Sequence, residues 1–274
     1  MFIDEAQDFA ASWFGCVLEA MQDPLDGDLL VVGDGNQGVY HQRDFTWASV
    51  GIQAVGRTIN TKFDLDRCYR STKEIITSAQ SFASKCKEQP EVAITSMQVD
   101  PEQCTRSSGF RPVIMACKSM EEECQYGTAV TKELLSGRWF GRDIPSPLQP
   151  SEIGIFYRNA GWDGQKLLLD QLEKQIGTAV WLSRSREAMH RLTEPGVKIQ
   201  TIHSAKGLQY KAVILLWAGQ MPSTKENDDL ERERRLMFVG LTRAEDYLTI
   251  LHSQASPFVS ELVASGVTEV LVHR

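Results

Sequence analysis

Long hydrophobic runs are missing from this sequence. Nowhere do enough apolar residues follow one another to cross a bilayer, and the N-terminus lacks a basic region leading into a cleavable apolar stretch. No membrane partner is expected, and the cytoplasm is the expected compartment. Basic charge is also in short supply, with 36 acidic against 29 basic side chains and a net charge of −7. That balance excludes a generally basic nucleic-acid coat while leaving room for a local groove. The six cysteines (Cys16, Cys68, Cys86, Cys104, Cys117 and Cys124) include no C-x-x-C pair. They read as reduced thiols, neither a zinc site nor a disulfide framework. No internal repeat, low-complexity tract or coiled-coil heptad occurs. What remains is ordinary globular material: 274 residues, 42% hydrophobic and 24% charged, enough for one large domain or two modest ones.

Strand and helix patterns alternate along most of the chain. FAASWFGCVLEAM places Phe9, Trp13, Phe14, Val17, Leu18 and Met21 at helical spacing. After the breaker DPLDGD, LLVVGD reads as a short, fully buried strand. A second unit begins near Phe63 to Leu65, with a helix from Thr72 to Cys86 and a loop over residues 87–109. PVIMAC, IGIFY, VKIQTI, AVILLW and YLTIL are further strands. MEEECQYGTAVTKELL, WDGQKLLLDQLEKQ and DDLERERRLMFVGLTRA supply helices between them. Nearly continuous apolar strands separated by helices predict an α/β fold with a parallel sheet covered on both faces.

Five segments carry candidate chemistry. In FIDEAQD, an apolar run delivers Asp4 and Glu5 to a strand end, where one carboxylate can hold Mg²⁺, directly or through water, and its neighbour can orient an attacking water. A solvated acidic turn would look the same. VVGDGNQGVY offers Gln37 on a tight loop, a neutral group able to bond a phosphate oxygen, or simply a polar turn. LDRCYRST carries Arg70, whose planar fork suits phosphate, although arginine before a Ser-Thr helix start is also common at surfaces. VKIQTIHSAKGLQY runs through Thr201 and His203 into Lys206-Gly207-Leu208, an element suited to a polyanion; alone, His203 would pass for a structural histidine. ERRLMFVGLTRA ends on Arg243, which could equally serve the helix dipole.

Taken in this order, the segments resemble the UvrD/Rep-type superfamily 1 DNA helicases. DEAQD looks like motif II, GDGNQGVY like motif III, LDRCYRS like motif IV, TIHSAKGLQY like motif V and ERRLMFVGLTRA like motif VI. The resemblance implies RecA-like parallel sheets with flanking helices and an ATP-dependent helicase that steps along single-stranded DNA. It implies ATP and Mg²⁺ as cofactors, and single-stranded DNA, or duplex with a single-stranded tail, as partner. By the same resemblance Asp4 would hold Mg²⁺, Glu5 would activate water and Gln37 would meet the γ-phosphate. Arg70 and Arg243 would be arginine fingers, worth roughly 10³–10⁵ in rate. Gly207 and Gln209 would lie near the nucleotide, and Tyr40, Thr201 and His203 would face DNA.

Three departures qualify the resemblance. The family's phosphate loop, G-x-x-x-x-G-K-[ST], is absent from these residues, so the triphosphate lacks its main cradle and the isolated chain is expected to be a poor ATPase. The motif V glutamate is replaced by Gln209, and the tryptophan after motif III by Gln42, leaving Phe45 or Trp47 to offer a stacking surface. Residues 1–60 are accordingly read as the last part of a first RecA-like domain and 61–274 as a complete second one, making the missing N-terminal motor half a partner. Roughly 40 residues separate Tyr157 from the TIH segment, too few for a typical accessory domain. The rival readings are a non-enzymatic nucleic-acid- or partner-binding module, which would need none of the ATPase set, and a nuclease built on Asp4, Glu5 and Asp8, which lacks further metal ligands.

Overall fold

The computed structural model describes residues 1–25, 27–38, 45–52, 67–83, 99–159, 162–182, 191–223 and 229–272. Strand β1 (Phe2–Ile3), helix α1 (Ala11–Ala20) and strand β2 (Leu30–Val31) come first, then helix α2 (Lys73–Ala83). There follow β3 (Val113–Ala116), α3 (Met120–Leu135), the hairpin β4 (Arg138–Trp139) and β5 (Arg142–Asp143), β6 (Ile153–Tyr157), α4 (Trp162–Ile176) and β7 (Ala179–Trp181). Last come β8 (Val197–Thr201), β9 (Tyr210–Leu216), α5 (Leu230–Leu241), β10 (Ala244–His252), α6 (Pro257–Ala264) and β11 (Glu269–Val272).

Local chemistry starts these helices where they start. Ser119 caps α3 by accepting from the Glu122 amide (3.2 Å), and Glu121, Glu122 and Glu123 fill the first turn, where the helix dipole favours negative charge. Asp229 caps α5 through the Glu231 amide (3.0 Å), and Ser256 caps α6 through Val259, with Pro257 in the first turn.

Seven strands form one parallel sheet in the order β11-β3-β10-β9-β6-β8-β7. Side chains alternate across it. Ile153, Ile155, Tyr157, Ile214 and Leu216 pack with Leu134 of α3 and Leu168 and Leu172 of α4. Phe156, Val213 and Leu215 pack on the other face with Ile75 and Phe82 of α2, Leu236 of α5 and Phe258 of α6. All of β6 is buried, so it reads as unbroken apolar sequence rather than as an alternation. Gly154 within it is required by close approach, since a Cβ there would lie 2.8 Å from the Phe156 ring.

The N-terminal segment has a separate apolar cluster of Ile3, Ala6, Phe14, Phe45 and Val50, with Phe9, Val17 and Trp47 packed on it. Its sheet is a two-stranded parallel pair. Here one expectation is corrected. LLVVGD is not a fully buried strand, because Leu30 is 59% and Val32 37% exposed. Among the described residues its one neighbouring strand is β1, which leaves Leu30 and Val32 open to water. The expected start of the second unit near Phe63 to Leu65 lies outside the described residues, as does the expected end of its helix at Cys86. The hairpin β4–β5, helix α6 and edge strand β11 go beyond the elements expected from sequence; β11 buries only part of each side chain, which leaves no strong pattern to read.

Where β9 ends, Trp217 adopts a left-handed conformation (φ 55°), unusual for a bulky residue. Its amide donates to the buried Glu123 Oε2 (2.6 Å). Burial raises the Glu123 pKa, with hydrogen bonds from Ser253 and the Trp217 amide opposing. Glu123→Leu would orphan that amide and is expected to cost about 1–3 kcal/mol in chemical denaturation. Because the native pKa lies above the unfolded one, stability from this group is fully present below the unfolded value and lost as pH rises through the native one. The wild type should therefore lose ground to Glu123→Gln as pH climbs from 4.5, a gap that parallel denaturation curves across pH would measure. An invariant gap would mean that Glu123 titrates alike in both states.

Candidate functional site

Helix α5 closes on Thr242, whose hydroxyl donates to Phe238 O (2.9 Å). The next residue, Arg243, is only 2% exposed. Its Nε donates to Val239 O (3.1 Å), and its Nη2 donates to Thr242 Oγ1 (3.3 Å) and to Gln37 Oε1 (3.1 Å). Gln37 stands in a 3₁₀ turn (Gly35–Gln37) just after β2, and its Nε2 donates to Asp34 Oδ2 (2.9 Å). Residues 206 positions apart in sequence thus meet side chain to side chain.

The carboxylate end of the site lies beside this pair. Glu5 is left-handed (φ 53°), and its amide donates to Asp4 Oδ1 (2.9 Å). Gln7, 3% exposed, donates to Glu5 Oε2 (2.5 Å) and accepts from the Asp34 amide (3.0 Å). Lys206 crosses from the β8–β9 connection: its Nζ bonds Asp8 Oδ2, donates to Gln37 O (2.8 Å) and lies 3.6 Å from Glu5 Oε2. Arg235 of α5 donates to Gly38 O (2.7 Å). Gln7, Asp34, Lys206 and Arg235 drew no individual site role from sequence, although each lies inside a motif segment and Lys206 stands in the element expected to suit a polyanion. Their signal was polarity inside an otherwise recognisable stretch, which does not separate a contact from a solvated side chain.

Electrostatics mark Arg243 out. Burial first, and then the like charge of Arg70, lower its pKa to about 10, with Glu5 and Asp34 opposing the shift. Two guanidinium groups therefore share a neighbourhood in which one is almost wholly desolvated. Such an arrangement gains from an arriving anion, since opposite charge favours the ionised form.

The other sequence-predicted residues are distributed less tightly. Gly207 is exposed and takes a positive φ (78°) with open space where a Cβ would lie, so glycine is needed for backbone shape. Gln209 precedes Tyr210, whose amide donates to Arg243 O (3.1 Å), and its Nε2 is buried without a bonding partner. Thr201 is partly exposed and bonds Ser204 Oγ (2.9 Å). His203 is 7% exposed, so its ring is largely withdrawn from a surface ligand, unlike the outward-facing group expected. Trp47 packs edge-on against Phe14 (5.8 Å) and Phe45 (6.4 Å), half-buried in the N-terminal cluster rather than standing free as a stacking surface. Tyr40 lies outside the described residues.

The donor set decides what could be held. Asp4 and Glu5 are exposed carboxylates, and no group of three or more His, Cys, Asp or Glu able to hold a metal occurs among the described residues. That fits Mg²⁺ shared with phosphate oxygens and waters, and does not fit a metal caged by protein alone. The unpartnered Gln209 Nε2 fits a ligand acceptor.

Residues 163–255 match the UvrD-like helicase C-terminal domain. Rep, an ATP-dependent DNA helicase of Buchnera aphidicola subsp. Schizaphis graminum, is 34% identical over 129 residues, covering 42% of this chain and 20% of that protein. The ATP-dependent DNA helicase UvrD2 of Mycobacterium bovis is 37% identical over 82 residues, covering 27% of this chain and 12% of that protein. The matched stretches span a fifth or less of these relatives. Among solved structures, the C-terminal domain of a possible DNA helicase from Lactobacillus plantarum WCFS1 is similar at 19% identity and a TM-score of 0.48, covering 74% of this chain and 98% of that one. Among the described residues no helix is long and apolar enough to cross a membrane. Residues 163–255 thus resemble a UvrD-like helicase C-terminal domain, and the matched stretches of the chain are similar to the DNA helicases Rep and UvrD2.

Proposed function

We propose that this chain supplies the arginine-bearing side, and the magnesium-binding carboxylates, of an ATP-driven motor that moves along single-stranded DNA and unwinds duplex. One observation carries the proposal: the buried Arg243 reaches Gln37 with Arg70's charge close by. A triphosphate between them would satisfy both cations at once. Asp4 would share Mg²⁺ with the phosphates, Glu5 would orient the attacking water, and Gln209 would offer its buried amide to the nucleotide. Magnesium's contribution is to neutralise charge on the phosphate oxygens. Lys206, bonded to Asp8 and to Gln37 O, would tie the motif V loop to the carboxylate segment, so that a change at one is felt at the other. Tyr40 and Thr201 remain the candidates for DNA contact, Thr201 being partly exposed.

The phosphate loop would come from a further protein segment as partner. In support, β1 and β2 leave Phe2 (60%) and Leu30 (59%) exposed, apolar surface that additional strands would cover.

ATP hydrolysis by residues 1–274 alone, with and without single-stranded DNA, tests the proposal. Turnover at background is expected, rising when a phosphate-loop half from a Rep-type relative is fused in front. Robust turnover by the chain alone that disappears in Glu5→Gln would sink it, because the site would then be complete without that half.

A further inference from the structure

We infer that Arg106 is a positioning residue that sets where Arg70 stands relative to Arg243. The inference rests on the anion-binding reading of those two arginines.

Arg70 sits in a short link leading into α2, with its own side chain exposed. An exposed arginine on a link has many accessible rotamers, and ordering it costs entropy. Something must hold the link if Arg70 is to act at a defined place. Three contacts tie it to the first residues of β10, directly behind Arg243. Ser71 Oγ donates to Ala244 O (2.7 Å), and the Thr72 amide donates to Glu245 O (2.9 Å). The third runs through Arg106, whose Nη1 donates to Arg70 O (2.5 Å) while its Nη2 donates to Asp246 Oδ1 (2.6 Å). Glu245 Oε2 lies 3.8 Å from the same guanidinium.

Arg106 is itself fixed from both sides. Its carbonyl accepts from the Lys73 amide (2.8 Å), and the neighbouring Thr105 amide donates to Cys68 O (3.1 Å). The planar fork therefore bridges the carbonyl of one site arginine and a carboxylate three residues beyond the other. A lysine, with a single point charge, cannot make both bonds in fixed directions. Arg106 need not touch the anion for this; its action is through Arg70.

Charge and position predict opposite results at Asp246. Removing that carboxylate takes negative charge away from an anion site, which by electrostatics alone should tighten anion binding. If Asp246 works by anchoring Arg106, the same change should weaken it. Inorganic tripolyphosphate titrated into residues 1–274 by calorimetry reads the difference. Asp246→Ala and Arg106→Lys are each expected to weaken binding about tenfold, with melting temperatures near wild type. In an Arg70→Ala background the Asp246→Ala effect should vanish. Tighter or unchanged binding in Asp246→Ala, or wild-type binding in Arg106→Lys, overturns the inference. Unchanged binding in Arg70→Ala would instead strike the anion-site reading beneath it. Hydrogen exchange at the Thr72 amide, which donates to Glu245 O, gives an answer independent of affinity: faster exchange in Asp246→Ala supports the staple, and equal protection overturns it.

Discussion

Alanine at Arg243 is expected to lower ATP turnover by roughly 10³–10⁵ in the fused motor, while nucleotide affinity falls much less. Arg243 sits in the turn between α5 and β10, anchored by its Nε to Val239 O, so that Nη2 is the part turned toward Gln37. Little side-chain entropy remains to be lost when charge develops on a transferring phosphoryl group. The low-dielectric surroundings that lower its pKa also strengthen its pull on that charge. An interaction made mainly in the transition state lowers kcat and kcat/KM together. Steady-state kinetics beside the Kd of a non-hydrolysable analogue separate the two quantities. Unchanged kcat would place Arg243 in a structural role, fastening α5 to the Gln37 turn.

The second large effect is expected at Glu5, with activity and stability moving separately. Glycine or alanine at this position should lower turnover by about 10²–10⁴, the span of a general base. The two variants should nevertheless differ in stability. Glu5 holds φ at 53°, a region that costs a non-glycine residue roughly 1–2 kcal/mol. Alanine keeps that cost and loses the bond from Gln7, whereas glycine loses the bond but relieves the strain. After allowing for glycine's greater unfolded-state freedom, Glu5→Gly should be the more stable by about 1 kcal/mol. Denaturation of the two variants side by side measures this directly. Equal stability would mean that the left-handed turn relaxes once the carboxylate is gone. Backbone strain at the residue proposed to orient water is what a site selected for placement rather than stability would show.

Parts of this were legible beforehand. Helix α3, read as MEEECQYGTAVTKELL, and β6, read as the unbroken apolar run IGIFY, both have their expected limits. The parallel sheet covered on both faces followed from the same runs. Elements whose stability is borrowed were harder. Strand β11 is only half-buried along the sheet edge, and β4 and β5 are two residues each, so neither displays a period long enough to count. LLVVGD shows the opposite error: its apolar residues promised burial that its described neighbour β1 does not provide.

The site divides along the same line. Asp4, Glu5, Gln37, Arg70 and Arg243 could be named from motif order, because their residue types and local spacing are properties of the chain. Sequence by itself also determined the charge balance and the α/β class. Only the tertiary structure decided that Arg243 is buried and bonded to Gln37, that Lys206 crosses to Asp8, that His203 is withdrawn, and that Arg106 joins Arg70 to Asp246. The reason is physical. Local propensity and hydrophobic period report interactions between near neighbours in sequence, whereas burial of a charge and the partner that compensates it depend on segments brought together only when the sheet assembles.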